Sequence, residues 1–151
     1  MSEYARPTNS TNPLLDPVVY WRVSALALTA VAILGIVLAS ISGGGHESTK
    51  DQALAFNSQH GLGLTWTHNV VHVVLALAAF LFGFANLPGR LTKVFAIIFG
   101  FVYAGLGVVG FLFSNPLGDG ALALNLGVAL NSTHLLLGAW ALTAGFGARY
   151  D

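Results

Sequence analysis

Two short motifs carry most of the side chains that could do chemistry inside an apolar stretch of this chain, Asn69-Val70-Val71-His72 and Asn131-Ser132-Thr133-His134. A neutral imidazole is the commonest metal ligand among side chains and can also hydrogen-bond across a helix interface. His68 precedes His72 by four residues, which puts both rings on one face of a helix. His72 and His134 together suit axial ligation of a haem-type iron. One of them suits a chlorophyll-type magnesium, and all three with His68 suit copper or zinc. Asn69 and Asn131 would then orient the rings or cap the helix starts, with Thr67, Ser132 or Thr133 available to fix a free ring nitrogen. The competing structural reading makes each Asn-x-x-His a hydrogen-bonding contact between helices, worth roughly 0.6 to 2 kcal/mol. Duplication of a helical hairpin would explain the mirrored placement without a ligand. His46 and His60, near Glu47, Asp51 and Gln59, lack a close ligand spacing and read as solvated loop residues.

The segments that must position these residues are unusually apolar. The 151 residues are 55% hydrophobic and only 8% charged, against about 25% charged in an ordinary soluble domain. The formal net charge of zero provides no footprint for nucleic acid. Without cysteine there is no disulfide, thiolate zinc site, iron–sulfur cluster or cysteine nucleophile. Four stretches approach the roughly 20 apolar residues that a bilayer crossing needs: about Val23 to Ile41, Asn69 to Leu87, Val94 to Phe113 and Leu130 to Gly147. The expected architecture is an all-α membrane protein, a bundle of four transmembrane helices. Arg6, Arg22, Arg90, Lys93 and Arg149 fall on one side of these spans and only Lys50 on the other. By the positive-inside rule both termini are cytoplasmic, in the cell (inner) membrane. Tyr20, Trp21, Trp66 and Tyr150 sit at span ends, where amphipathic rings anchor at the interface. The polar first 22 residues form a Pro-containing cytoplasmic segment, not a cleaved leader, because span one exceeds a typical leader's apolar core. Where such a tail is ordered, the bundle's cytoplasmic face or a neighbouring subunit must hold it.

A shift of 62 residues superimposes span two on span four, pairing Asn69 with Asn131, His72 with His134, Leu75 with Leu137 and Gly83-Phe84 with Gly145-Phe146. Arg22 and Lys93 correspond at the starts of spans one and three. Two hairpins of one orientation make a parallel internal repeat. Small residues at Ala96, Gly100 and Ala104, at Gly35 and Ala39, and at Ala141 and Gly145 allow close helix contacts. Ser24, Thr29 and Ser40 are expected to bond back to the preceding helical turn.

These paired motifs, Asn69 to Ala76 and Asn131 to Gly138, with Gly100 and the stretch Tyr103 to Phe111, resemble a prokaryotic family of small four-span integral membrane proteins of unknown function. The resemblance covers about Trp66 to Gly147, and Ala76 departs from the glycine at its partner position. It implies fold and topology but no activity. No Asp, Glu, Lys or Arg lies within the spans, which removes the usual charged pathway of a coupled transporter. Gly43-Gly44-Gly45 lacks the Lys-Ser/Thr ending of a phosphate loop. The leading expectation is therefore a non-catalytic structural or accessory subunit, in a membrane complex or homo-oligomer, with lipid and other membrane subunits as partners. The alternatives are a cofactor-binding subunit, with a tetrapyrrole or a Cu/Zn ion on the paired histidines, and a narrow channel.

Overall fold

The structure is a computed structural model that describes residues 12–44, 66–113 and 128–150. These residues form four helices and no strand: α1 (Pro17–Gly44), α2 (Trp66–Phe84), α3 (Gly89–Phe113) and α4 (Val128–Gly147), preceded by a short 3-10 turn at Pro13–Leu15. The Asp16 carboxylate accepts the Val18 N–H at 2.8 Å, and Pro17 needs no donor partner in the first turn, so Asp16-Pro17 starts α1. The helix thus begins six residues before the apolar stretch expected from Val23. Arg22 does not bar its extension, because its Nε reaches sideways to the Gly83 carbonyl at 2.9 Å. α2 stops three residues before the expected Leu87, since Asn86 takes a left-handed backbone at φ 50° and Pro88 follows. Thr92 Oγ1 bonds the Gly89 carbonyl at 2.8 Å in the first turn of α3.

α1 packs chiefly on α2, and α3 on α4. Each pair is antiparallel: Arg22 meets Gly83 while Gly35 meets Asn69, and Lys93 meets Ala148 while Gly110 meets Asn131. The interior is small and polar, with Ala25, Ala32, Ala76, Ala79, Ala96, Ala141 and Ala144 buried beside Ser24, Asn69, Thr92 and Asn131. Leu, Val, Ile and Phe crowd the exterior, Leu26, Leu77, Leu112 and Leu136 being more than 60% exposed. This inverts the usual distribution and fits hydrocarbon surroundings, where small residues let helices approach. Among the described residues, three helices are long and apolar enough to cross a membrane, over Pro17–Ile41, Trp66–Phe84 and Gly89–Leu112. The chain is accordingly a multi-pass membrane protein. α4 has 20 residues but opens on the polar run Asn131-Ser132-Thr133-His134, which dilutes its hydropathy.

An aromatic layer closes the end of the bundle remote from the histidines. Tyr20 and Trp21 are 0% and 2% exposed. Tyr20 meets Trp140 edge-on at 5.4 Å and Trp21 meets Phe99 at 5.3 Å, both in the favoured T-shaped range. The expectation that these two rings anchor at the lipid interface is overturned. The indole N–H of Trp21 has an internal partner, the Thr92 carbonyl at 3.1 Å, so it needs no headgroup water. Trp66, 58% exposed, keeps the position expected of an anchor. The turn at Pro13–Leu15 lies against the end of α4, where Leu15 packs over Gly147. The bundle itself thus holds the last residues of the polar tail.

Candidate functional site

Helix α2 presents His68, Asn69 and His72 inward from its first two turns, and α4 presents Asn131 and His134 likewise. All five are buried, at 1% to 4% exposure. One imidazole nitrogen from each of His68, His72 and His134 lies within 4.8 Å of the others. The His68 and His72 rings stack at 4.4 Å between centroids, and His134 stands 6.4 Å from His68. The four-residue spacing on one helix produces the stack, and His134 reaches toward it from α4, a helix that packs chiefly on α3. A tetrahedral ion bonded to nitrogen at about 2.0–2.1 Å requires nitrogens roughly 3.4 Å apart, a contraction that small ring rotations supply. The Nδ1 atoms of His72 and His134 are buried with no hydrogen-bond partner among the described residues. Buried polar atoms nearly always have a partner. The Tyr20 hydroxyl, the Ser24 hydroxyl and the Trp140 indole N–H share this lack, so the convergence of the three rings, not the open Nδ1 atoms, points to an ion.

His68 lies deeper than expected. α2 begins at Trp66 rather than Asn69, which moves His68 from the outer rim into the first buried turn. Neither asparagine caps a helix start. Each lies against a glycine of its antiparallel partner, Asn69 over Gly35 and Asn131 over Gly110, where any side chain on the glycine would collide with the amide. The amide O and N of Asn69 make no hydrogen bond among the described residues. Thr133 does not fix a ring nitrogen either, since its hydroxyl donates to the Ala129 carbonyl at 2.9 Å. Thr29 bonds back to Ala25 at 2.7 Å as expected, whereas the buried Ser24 hydroxyl does not. His46 and His60 lie outside the described residues.

Two features of the site escape a reading by spacing. Tyr103 of α3 stands edge-on to His134 at 4.9 Å. A Tyr in an apolar run gives no positional signal, though its burial at 3% marks it as core. A cavity of about 130 Å³ also opens beside the cluster, bounded by Leu28, Val31, Tyr103 and Leu137 and reached by both His72 and His134. Pockets that enclose drug-sized ligands measure roughly 300–1,000 Å³, so this one suits something much smaller.

At the shift of 62 the buried positions of the two helices correspond. His68, Asn69, His72, Ala76, Ala79 and Gly83 on α2 map onto Leu130, Asn131, His134, Gly138, Ala141 and Gly145, all buried on α4. Two of the three imidazoles have each other as counterparts; His68 has a leucine. No family model, curated protein or solved structure matches the chain.

Proposed function

We propose that this is a four-span membrane protein, built from two equivalent helical hairpins, that holds a single transition-metal ion on His68, His72 and His134. One observation carries the reading: three buried imidazoles converge, and the third has no counterpart in the matching hairpin. Duplication accounts for His72 and His134 as a pair, together with their asparagines, but not for a buried histidine where the partner carries Leu130.

The surroundings favour copper(I). The cost of burying an ion grows with the square of its charge, and imidazoles bring no charge to offset it. Asp16 is the one acidic residue among the described residues and caps α1 at the opposite end of the bundle. A monovalent ion is therefore far cheaper here than zinc(II), and imidazole donors suit copper. The volume beside the cluster supports a single ion over a tetrapyrrole. The layer of Tyr20, Trp21, Phe99 and Trp140 interrupts the polar line that a channel needs.

In this reading α4 crosses the membrane with the other three, its polar first turn turned inward, and both termini are cytoplasmic by the distribution of Lys and Arg. The protein serves as an accessory subunit of a membrane complex or homo-oligomer, binding rather than catalysing. The repeated Asn-x-x-His remains the ground for placing it near the four-span family it resembles. Metal analysis of the full chain, purified in lipid nanodiscs and equilibrated with copper(I) against a competing chelator, tests the proposal. One equivalent per chain is expected, lost in each of His68→Ala, His72→Ala and His134→Ala. A folded protein that retains no copper overturns it.

A further inference from the structure

We infer that the open side of this metal centre is a binding position for a small uncharged molecule, which coordinates the ion and occupies the adjoining cavity. The inference rests on the metal reading above. Three protein ligands leave one position of a tetrahedral ion unfilled. Only two of the three histidines, His72 and His134, border the cavity. An ion held by all three therefore turns its unfilled side toward that space, with His68 behind it.

The lining determines what can enter. Leu28, Val31, Leu34, Leu130 and Leu137 are apolar, and Ala27 leaves room between them. The hydroxyl of Thr133, the remaining polar side chain apart from the ring groups, is already bonded to the Ala129 carbonyl. A charged or strongly hydrated ligand would lose its water shell there with nothing to replace it, a cost of several kcal/mol. A small neutral molecule loses little. At about 130 Å³ the space is close to the engineered apolar cavity of about 150 Å³ that stays dry and takes benzene or xenon. It thus admits diatomic molecules and groups up to about the size of one unsubstituted ring. The step is coordination alone: a lone pair of the ligand forms one bond to the ion, no bond breaks and no electron is transferred.

Carbon monoxide and isocyanides are suitable probes, because both bind copper(I) through carbon. The copper(I)-loaded full chain in nanodiscs, exposed to carbon monoxide, is expected to show one infrared carbonyl band below the frequency of the free gas. Methyl isocyanide should displace it, and an aryl isocyanide with two ring methyl groups should not. Ala27→Leu, which fills the cavity from α1, should keep one copper per chain and lose the band. Retention of copper without a carbonyl band overturns this inference and leaves the metal reading intact. Failure to retain copper overturns both. Equal displacement by the small and the bulky isocyanide in the unsubstituted protein shows that the cavity does not house the ligand, whatever becomes of Ala27→Leu.

Discussion

The two antiparallel pairs, α1–α2 and α3–α4, use similar parts at matching ends, though not in strict register, since Gly145 is the counterpart of Gly83 and Lys93 reaches past it to Ala148. In each, an asparagine near one end presses on a glycine of the partner helix, Asn69 on Gly35 and Asn131 on Gly110. In each, a basic residue at the other end donates to a terminal carbonyl, Arg22 to Gly83 and Lys93 to Ala148. Between α2 and α4 they part at two positions buried in both. Ala76 faces Gly138, and His68 faces Leu130. The shared parts fix how helices pair, and the differences coincide with the features that could bind something: the third imidazole and the looser α1–α2 seam. Features present twice are explained by packing; a third imidazole, present once and converging on the other two, calls for a further reason.

The first difference gives the largest expected effect. The hydrogen at Gly138 lies against the backbone of Ala104 and Gly100, so that any added carbon meets main chain. Ala76 instead borders an open apolar groove with Ile33, Ile36 and Phe80, all three of them exposed. Gly138→Leu should destabilise the folded protein by about 3 kcal/mol or more, while Ala76→Leu should cost under about 1.5 kcal/mol because space already exists. Denaturation in mixed micelles reads both. Equal costs would mean that the two seams are equally tight and that the comparison fails.

The second difference predicts a change in affinity more than in fold. Leu130 shows that a leucine is accommodated at this position of the pattern, so His68→Leu should leave the metal-free protein about as stable as before. Copper affinity should fall by more than about 100-fold, since even outer-shell partners of a ligand are worth 10 to 100-fold. With free metal at 100 times its dissociation constant, the unsubstituted protein should gain about 2.7 kcal/mol on loading, and His68→Leu should gain almost none. Thermal unfolding with and without copper measures both. An equal gain in the variant would remove His68 from the site.

Much of this was legible in the sequence, for physical reasons that differ from residue to residue. The helices follow from long apolar runs, and pairing of the two motifs follows from polar residues being scarce in lipid-facing segments. The grouping of His68 with His72 follows from helical periodicity. Its depth does not, because Trp66-Thr67-His68 contains nothing that separates a first helical turn from a loop. Tyr20 and Trp21 were misplaced because an aromatic ring near a span end satisfies both an interface and a core. Only the Thr92 carbonyl, 71 residues away, decides between them. The cavity beside the histidines depends on how closely side chains from all four helices approach, which no periodicity records.

The asparagines sharpen the comparison at smaller cost. Asn69→Ala and Asn131→Ala should each destabilise by about 1 kcal/mol, the cost of losing the packing of the amide against Gly35 or Gly110. They should add when combined, because they sit in different helix pairs. Micelle denaturation of the singles and the double is the measurement. A strongly non-additive double would mean that the amides act on one shared element, and the two pairs would not then be independent copies.

The smallest effect separates the two basic residues. Both occupy carbonyls at a helix end, Arg22 that of Gly83 in α2 at 2.9 Å and Lys93 that of Ala148, the residue after α4, at 2.8 Å. A cation there also interacts favourably with the helix dipole. Solvent and headgroups compete at both places, so Arg22→Met and Lys93→Met should each cost no more than about 1 kcal/mol. The exchanges should differ. Arg22 also lies over the Phe84 ring at 5.3 Å, a contact that a planar guanidinium makes well and an ammonium on a flexible stem makes less readily. Arg22→Lys should therefore lose a few tenths of a kcal/mol, attributable to the aromatic contact. Lys93→Arg should be neutral, because a guanidinium can donate to the Ala148 carbonyl as an ammonium does. If Arg22→Lys is neutral too, the Phe84 contact contributes nothing, and the two helix ends are equivalent in energy.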